Sequence, residues 1–397
     1  MDIVRTFVGI HRFQIQHVSD DVEFVRNSIA AVHVPRDSRD VERLTTIITL
    51  DKRDRLRRAA TAVDHAPDDL ALAMSPKYAQ SLSDGSARAA MLWPDADWQE
   101  MGLKAAILPD RPRFAMSGLT RMMDPGQGFG AGIHPSAVID ETAELAEHVS
   151  VGPLAIVAAG AKIGAGSVIG PQCYIGTDAV LGKNAYLRDH VSIGARVRIG
   201  DDFIAQPGAR IGGDGFSFVT AEPSTVEQTR KTLGDRGDTK AQQWTRIHTL
   251  GSVTIGNDVE CGMNCTVDSG TIRNTAIGDG SKLDNLVHLG HNVVVGKNCL
   301  LCGQVGIAGS VTIGDNVVLG GQVGVSDNIT IGDGVIAGGG TKILSNAPAG
   351  RSLLGYPATE MGKQIEGYKA LRRLPRLLRD VAALKSQMGT SKDSETS

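Results

Sequence analysis

From Ile133 to Ile211 the apolar residues recur at every sixth position, and thirteen of the fourteen positions hold Ile, Leu or Val. The chain's overall 41% apolar share would place about six apolar residues of any kind there, so the period is real. A second run of the same step extends from Ile277 to Ile343, with Ala337 as its one exception. Between the runs Ile255, Cys261 and Val267 keep one register. A ten-residue step to Ile277 then places four extra residues within the segment DSGTIRNT. Such a break marks a candidate functional loop.

Six residues rotate an α-helix by about 600°, so a helix cannot keep this period on one face. Short strands that turn a corner every six residues can. Three hexads make one 18-residue coil of a triangular prism, with Ile, Leu and Val inward and the following Gly allowing the turn. The pattern predicts a mainly β fold, a parallel β-helix of hexapeptide repeats over 131–356. Residues 1–130 lack the period and read as an N-terminal α/β domain. Residues 212–250, polar and Gly-rich, read as a long external loop inserted in the prism. From 357 to 397 the spacing of Leu371, Leu374, Leu377, Leu378, Val381 and Leu384 predicts a C-terminal helix, its apolar stripe a packing face. The last nine residues are expected to fray.

Charge narrows the partners. Lys+Arg number 41 against Asp+Glu 44, which gives no general basic field for nucleic acid. No run of 18 apolar residues and no signal-peptide core occur, so a cytoplasmic protein without a transmembrane segment is expected. Five cysteines, an odd number, suit a reducing compartment. One region is locally basic: between 361 and 388, Lys363, Lys369, Arg372, Arg373, Arg376, Arg379 and Lys385 face only Glu366 and Asp380. That excess would attract an acidic partner.

The segment LDNLVHLGHNVVVGKN, followed by GQVGIAGSVTIGDNVVLGGQVGV, resembles the active-site coils of the bacterial UDP-3-O-acylglucosamine N-acyltransferases of lipid A synthesis. MSPKY at 74–78, GIHPSAVID at 132–140, IGGDGFSF at 211–218 and LLGYPA at 353–358 match further family motifs in order. The resemblance implies a left-handed β-helix, a homotrimer and a uridine-binding N-terminal domain. It also implies a 3-hydroxyacyl thioester on the phosphopantetheine of acyl carrier protein as donor, the amine of a UDP-linked amino sugar as acceptor, and no resident cofactor or metal.

Amide formation from a thioester needs a base for the amine proton and an N–H donor for the developing oxyanion. His291, two residues after the inward Leu289, matches the family's catalytic His in GHN. Gly309 lies one 18-residue coil further on the same face and matches the family's oxyanion donor. Asp284 in LDN is the first choice of acid to fix the imidazole tautomer, and Asp268 the second. His288 forms HxxH with His291, but a metal site needs at least a third ligand. The lone CxxC of Cys299 and Cys302 is read as space filling, with Cys302 beside the inward Leu301. GGDGF at 212–216 is read as a loop near the site.

The acceptor positions depart from the family pattern. Tyr78 keeps one aromatic of the uracil sandwich, while Leu72 stands for the expected Phe and Ser75 for an Asn. Asn328, beside Asp327, replaces a second His, and Ser269 replaces an Arg. Two other readings follow: a divergent paralogue that acylates another amino-sugar nucleotide, and a non-catalytic trimeric scaffold.

Overall fold

The computed structural model describes residues 58–61 and 69–390, except 233, 236, 237, 239, 356 and 357. Most of the 1–68 reading, two residues of LLGYPA and the frayed end from 391 on lie outside the described residues. The chain divides into two compact units, Met1–Gly128 and Phe129–Ser397, so the boundary falls two residues before the one read from the period.

In the first unit four parallel strands lie in sequence order, Arg58–Thr61, Asp69–Leu72, Ala89–Met91 and Ala105–Ile107. Alternate residues point to opposite faces. Leu70, Ala89, Met91 and Ala105 pack with Ala115 and Leu119 of the helix Pro112–Met123. Ala71, Ala90 and Ala106 pack with Leu82 and Leu103 on the other side. Burial on both faces is what a parallel sheet requires.

The second unit is the prism. Three parallel sheets of ten, ten and nine strands form its walls, and each two-residue strand pairs with the one a coil further on, as Ile175 pairs with Ile193. The second residue of each strand points inward: Ile169, Ile193, Leu289 and Leu301 are fully buried. Ile133 is 56% exposed because it opens the first coil and has a neighbour on one side alone. A second inward column, two residues earlier in each hexad, includes Ala155, Cys173, Val191, Phe203 and Cys299. Its mixed residue types carry no clear period in the sequence. Cys299 therefore fills core space, and Cys302 is only half-buried.

The corners also differ from expectation. Residues in the left-handed region are mostly not Gly but Asn, Asp, Gln and His, for example Asn184, Asp202 and Asn292. Gly after the inward residue serves close approach instead: a Cβ on Gly164 would lie 2.4 Å from the Gly182 carbonyl carbon.

The 212–250 insertion carries structure of its own. Phe218–Val219 pairs antiparallel with Thr245–Arg246, and the helix Thr225–Thr232 starts from a reciprocal cap between Ser224 and Glu227. At the other end, Met361–Thr390 is helical. Its apolar stripe, expected to be a packing face, meets no cover among the described residues; Leu371 is 63% exposed. No described helix is long and apolar enough to cross a membrane.

The outer surface of the prism is uneven. One wall presents Glu144, Lys162, Arg198, Thr254, Thr312 and Thr330 to solvent. The other two expose Val138, Ile156 and Tyr174, and Leu300 and Ile336, alongside charged or polar positions such as Arg210, His288 and Lys342.

Candidate active site

His288 ends outward from the strand His288–Leu289, and the chain turns the next corner at His291 and Asn292. Asn292 takes φ 62°, a conformation that Asn tolerates. One coil on, Gly309 occupies the same corner, since Ser310 N–H donates to His291 O. The approach is tight. A Cβ on Gly309 would lie 2.6 Å from His291 Cε1 and 2.7 Å from Nε2, so the imidazole rests on a backbone that must lack a side chain. Among the described residues nothing accepts a hydrogen bond from the Gly309 N–H. That free donor lies beside the ring, where an oxyanion would be held.

On the other side the GGDGF loop closes on His291. A Cβ on Gly215 would lie 2.7 Å from His291 Cβ, and Gly215 N–H donates to Thr249 Oγ1 at 3.1 Å. Beyond it Phe216 is 83% exposed, 5.0 Å centroid to centroid from Phe218, whose ring carries the Arg246 guanidinium at 4.7 Å. These aromatic residues, which sequence reasoning did not single out, give the corner an apolar rim.

The two candidate acids separate. Asp284 ends a strand of the adjacent wall and sits at a different corner from His291, near Asn285 and Gly303. Within one chain the tautomer-fixing role expected of Asp284 is therefore not available to it, because two successive corners of the triangle point apart. Asp268, the second choice, lies one coil back at the histidine corner, with Oδ2 4.0 Å from His288 Nε2. Burial pushes its carboxyl above the usual range, opposed by His288, His291 and the Phe216 N–H. His288 Nδ1 pairs with Thr266 Oγ1 at 2.9 Å.

His291 Nδ1 meets the Asn292 side-chain oxygen at 3.0 Å. Asn292 in turn is tied to the four-residue insert: Oδ1 accepts from Thr271 N–H at 3.1 Å, and Nδ2 donates to Arg273 O at 3.1 Å. The register break at DSGTIRNT was the sequence signal for this support. The contacts themselves were not legible.

Asn328 reaches the same corner, its N–H donating to Gly309 O at 3.1 Å and its amide pairing with Asp327 at 3.1 Å. In the first unit Leu72 is half-buried against the core. Ser75 is half-buried and precedes the turn Pro76–Tyr78 without a side-chain cap bond. Tyr78 is 43% exposed, with the Lys77 ammonium 4.7 Å from its ring. Among the described residues no group of three or more His, Cys, Asp or Glu is placed to hold a metal.

Comparison with known proteins is consistent along the chain. Residues 142–177 match the bacterial transferase hexapeptide (six repeats) model. The UDP-3-O-acylglucosamine N-acyltransferase of Ruegeria pomeroyi is 68% identical over 337 residues, covering 85% of this chain and 93% of that protein. Its counterpart in Paracoccus denitrificans is 56% identical over 245 residues, covering 62% and 67%. Among solved structures, the Arabidopsis UDP-N-acetylglucosamine acyltransferase superposes with a TM-score of 0.47 at 22% identity, over 56% of this chain and 71% of that one. With a relative 68% identical over most of both chains, the chain belongs to the UDP-3-O-acylglucosamine N-acyltransferase family.

Proposed function

We infer that the protein is a lipid A N-acyltransferase that places an acyl chain on the amine of a UDP-3-O-acylglucosamine. One observation carries the reading at atomic level: the His291 ring stacked on Gly309, whose N–H is free, in a chain of this family. His291 takes the amine proton as nitrogen attacks the thioester carbonyl. The Gly309 N–H meets the oxyanion. As the C–N bond closes and the C–S bond breaks, the proton passes from the imidazole to the departing sulfur. The donor is read as a 3-hydroxyacyl thioester of acyl carrier protein, an acidic partner suited to the basic helix and to work in the cytoplasm. Exposed apolar residues on two walls, Tyr174 and Leu300 among them, support a homotrimer, in which copies cover what a single prism leaves bare.

The test is incubation of the purified protein with acyl carrier thioesters and a panel of UDP-amino sugars, read by mass spectrometry. An amide on UDP-3-O-acylglucosamine is expected. His291→Ala should lower turnover by about 10² to 10⁴ while the fold persists. Near-normal turnover in that variant would sink the base assignment. A second reading, another amino-sugar nucleotide as acceptor, is favoured by Leu72, Ser75 and Asn328; a product on a different sugar alone would establish it.

A further inference from the structure

We propose that Asn292 is a positioning residue that fixes the His291 tautomer, with the Nδ1 proton donated to its side-chain oxygen and the Nε2 lone pair left free over Gly309. The inference rests on His291 being the base. It adds that a neutral amide, set by the four-residue insert, does what a carboxylate does in many histidine sites.

The orientation of the amide decides the argument. Thr271 N–H is a donor and points at one side-chain atom of Asn292, at 3.1 Å. Arg273 O is an acceptor and faces the other, also at 3.1 Å. Turning the amide over would set N–H against N–H and oxygen against oxygen, so the oxygen must be the atom near Thr271. That same oxygen is 3.0 Å from His291 Nδ1. An oxygen with no proton can only accept, so a neutral imidazole must carry its hydrogen on Nδ1. The other ring nitrogen, Nε2, is then the basic one, and it lies where a Cβ on Gly309 would be 2.7 Å away.

The insert is what makes the orientation rigid. Asn292 is nine-tenths buried, its own N–H donates to Thr275 Oγ1 at 3.0 Å, and its carbonyl accepts from the Arg273 guanidinium at 3.3 Å. Every partner other than His291 belongs to 271–275, within the segment in which four residues exceed the hexad register. The charged and titratable groups around the ring are Asp268 and His288 at the same corner, Asp327 beside Asn328 one coil past Gly309, Asp214 of the loop beside Asp268, and Arg273 of the insert. None of them meets Nδ1, which pairs with the Asn292 amide.

Asn292→Asp keeps an acceptor oxygen and a residue type that tolerates φ 62°, but it adds a negative charge next to the ring and sets its second oxygen against Arg273 O, so a melting curve accompanies the assay. A carboxylate favours the imidazolium, so a higher pH is needed to free the base. The acid limb of the kcat/KM profile should move up by about one pH unit relative to the wild type. Asn292→Ala, which removes the acceptor, should lower kcat by about 10- to 100-fold. Ring ¹⁵N spectra of the wild-type protein, with the His291 signal assigned from its loss in His291→Ala, should show the proton on Nδ1. An Nε2-protonated ring, or an unmoved acid limb in Asn292→Asp, would overturn the proposal while leaving the base intact. Normal turnover in His291→Ala would instead remove the base itself.

Discussion

Adding one methyl group at Gly309 tests the ring-on-backbone geometry most directly. The backbone there is outside the left-handed region, so alanine meets no conformational penalty and any effect comes from contact. Its Cβ would stand 2.6 Å from His291 Cε1 and 3.1 Å from Nδ1. Carbon atoms in contact prefer about 3.5–4.0 Å, so the imidazole must retreat by about 1 Å and strain its bond to Asn292. A displacement of that size at reacting groups costs about 10²-fold, which is about 2.7 kcal/mol of transition-state stabilisation. The ring is half-buried and can swing outward, so the fold should lose only about 1 kcal/mol, a few degrees in Tm. The assay is kcat for acyl transfer at saturating donor and acceptor, paired with a melting curve. Gly306→Ala is the comparison, because a Cβ there meets nothing within 4 Å. A Gly309→Ala enzyme within about threefold of wild-type kcat would refute the stacking of His291 on Gly309 as the working geometry.

Other expectations follow from the same structure. Burial raises the Asp268 carboxyl above its usual range, and a carboxyl so raised supports the fold best while protonated and loses that support as pH rises through its folded value. The neutral Asp268→Asn should therefore melt above the wild type at pH 7, with the gain vanishing below about pH 4; an equal gain at both pH values would contradict the burial argument. Burial pushes the Cys173 thiol up to about 11 and raises Cys299, while the hydrogen bond with Cys265, together with burial, raises Cys261. A thiol reagent at pH 8 should modify Cys302 first in the folded protein, and rapid labelling of Cys173 or Cys261 would show that the prism core opens. An aromatic stack on a base is worth about 1–3 kcal/mol, so Leu72→Phe should tighten UDP by about five- to 150-fold in calorimetry. Micromolar UDP binding by the wild type would mean that other groups already replace those contacts.

The hexad period was enough to predict the prism, because an inward Ile, Leu or Val every six residues leaves few alternatives to short strands with corners. The same regularity located Gly309 relative to His291: in a solenoid, sequence separation by one coil becomes spatial adjacency, and the ring does rest on that glycine. Where the period fails, the sequence left the choice of acid open. Asp284 and Asp268 are both acids near the histidine motif in the chain, and only the triangular cross-section puts one at the histidine corner and the other at the corner before it. Asn292 was invisible as a functional residue, since its role depends on an N–H of Thr271 and a carbonyl of Arg273 that the four-residue insert brings to it. The sequence alone determined the repeat, the inward column and the alignment of Gly309 with His291, because these follow from local periodicity. Which acid neighbours the ring, which atom bears its proton and which loop closes on it were decided by tertiary structure, because hydrogen bonds between coils and across an irregular insert have no period to be read.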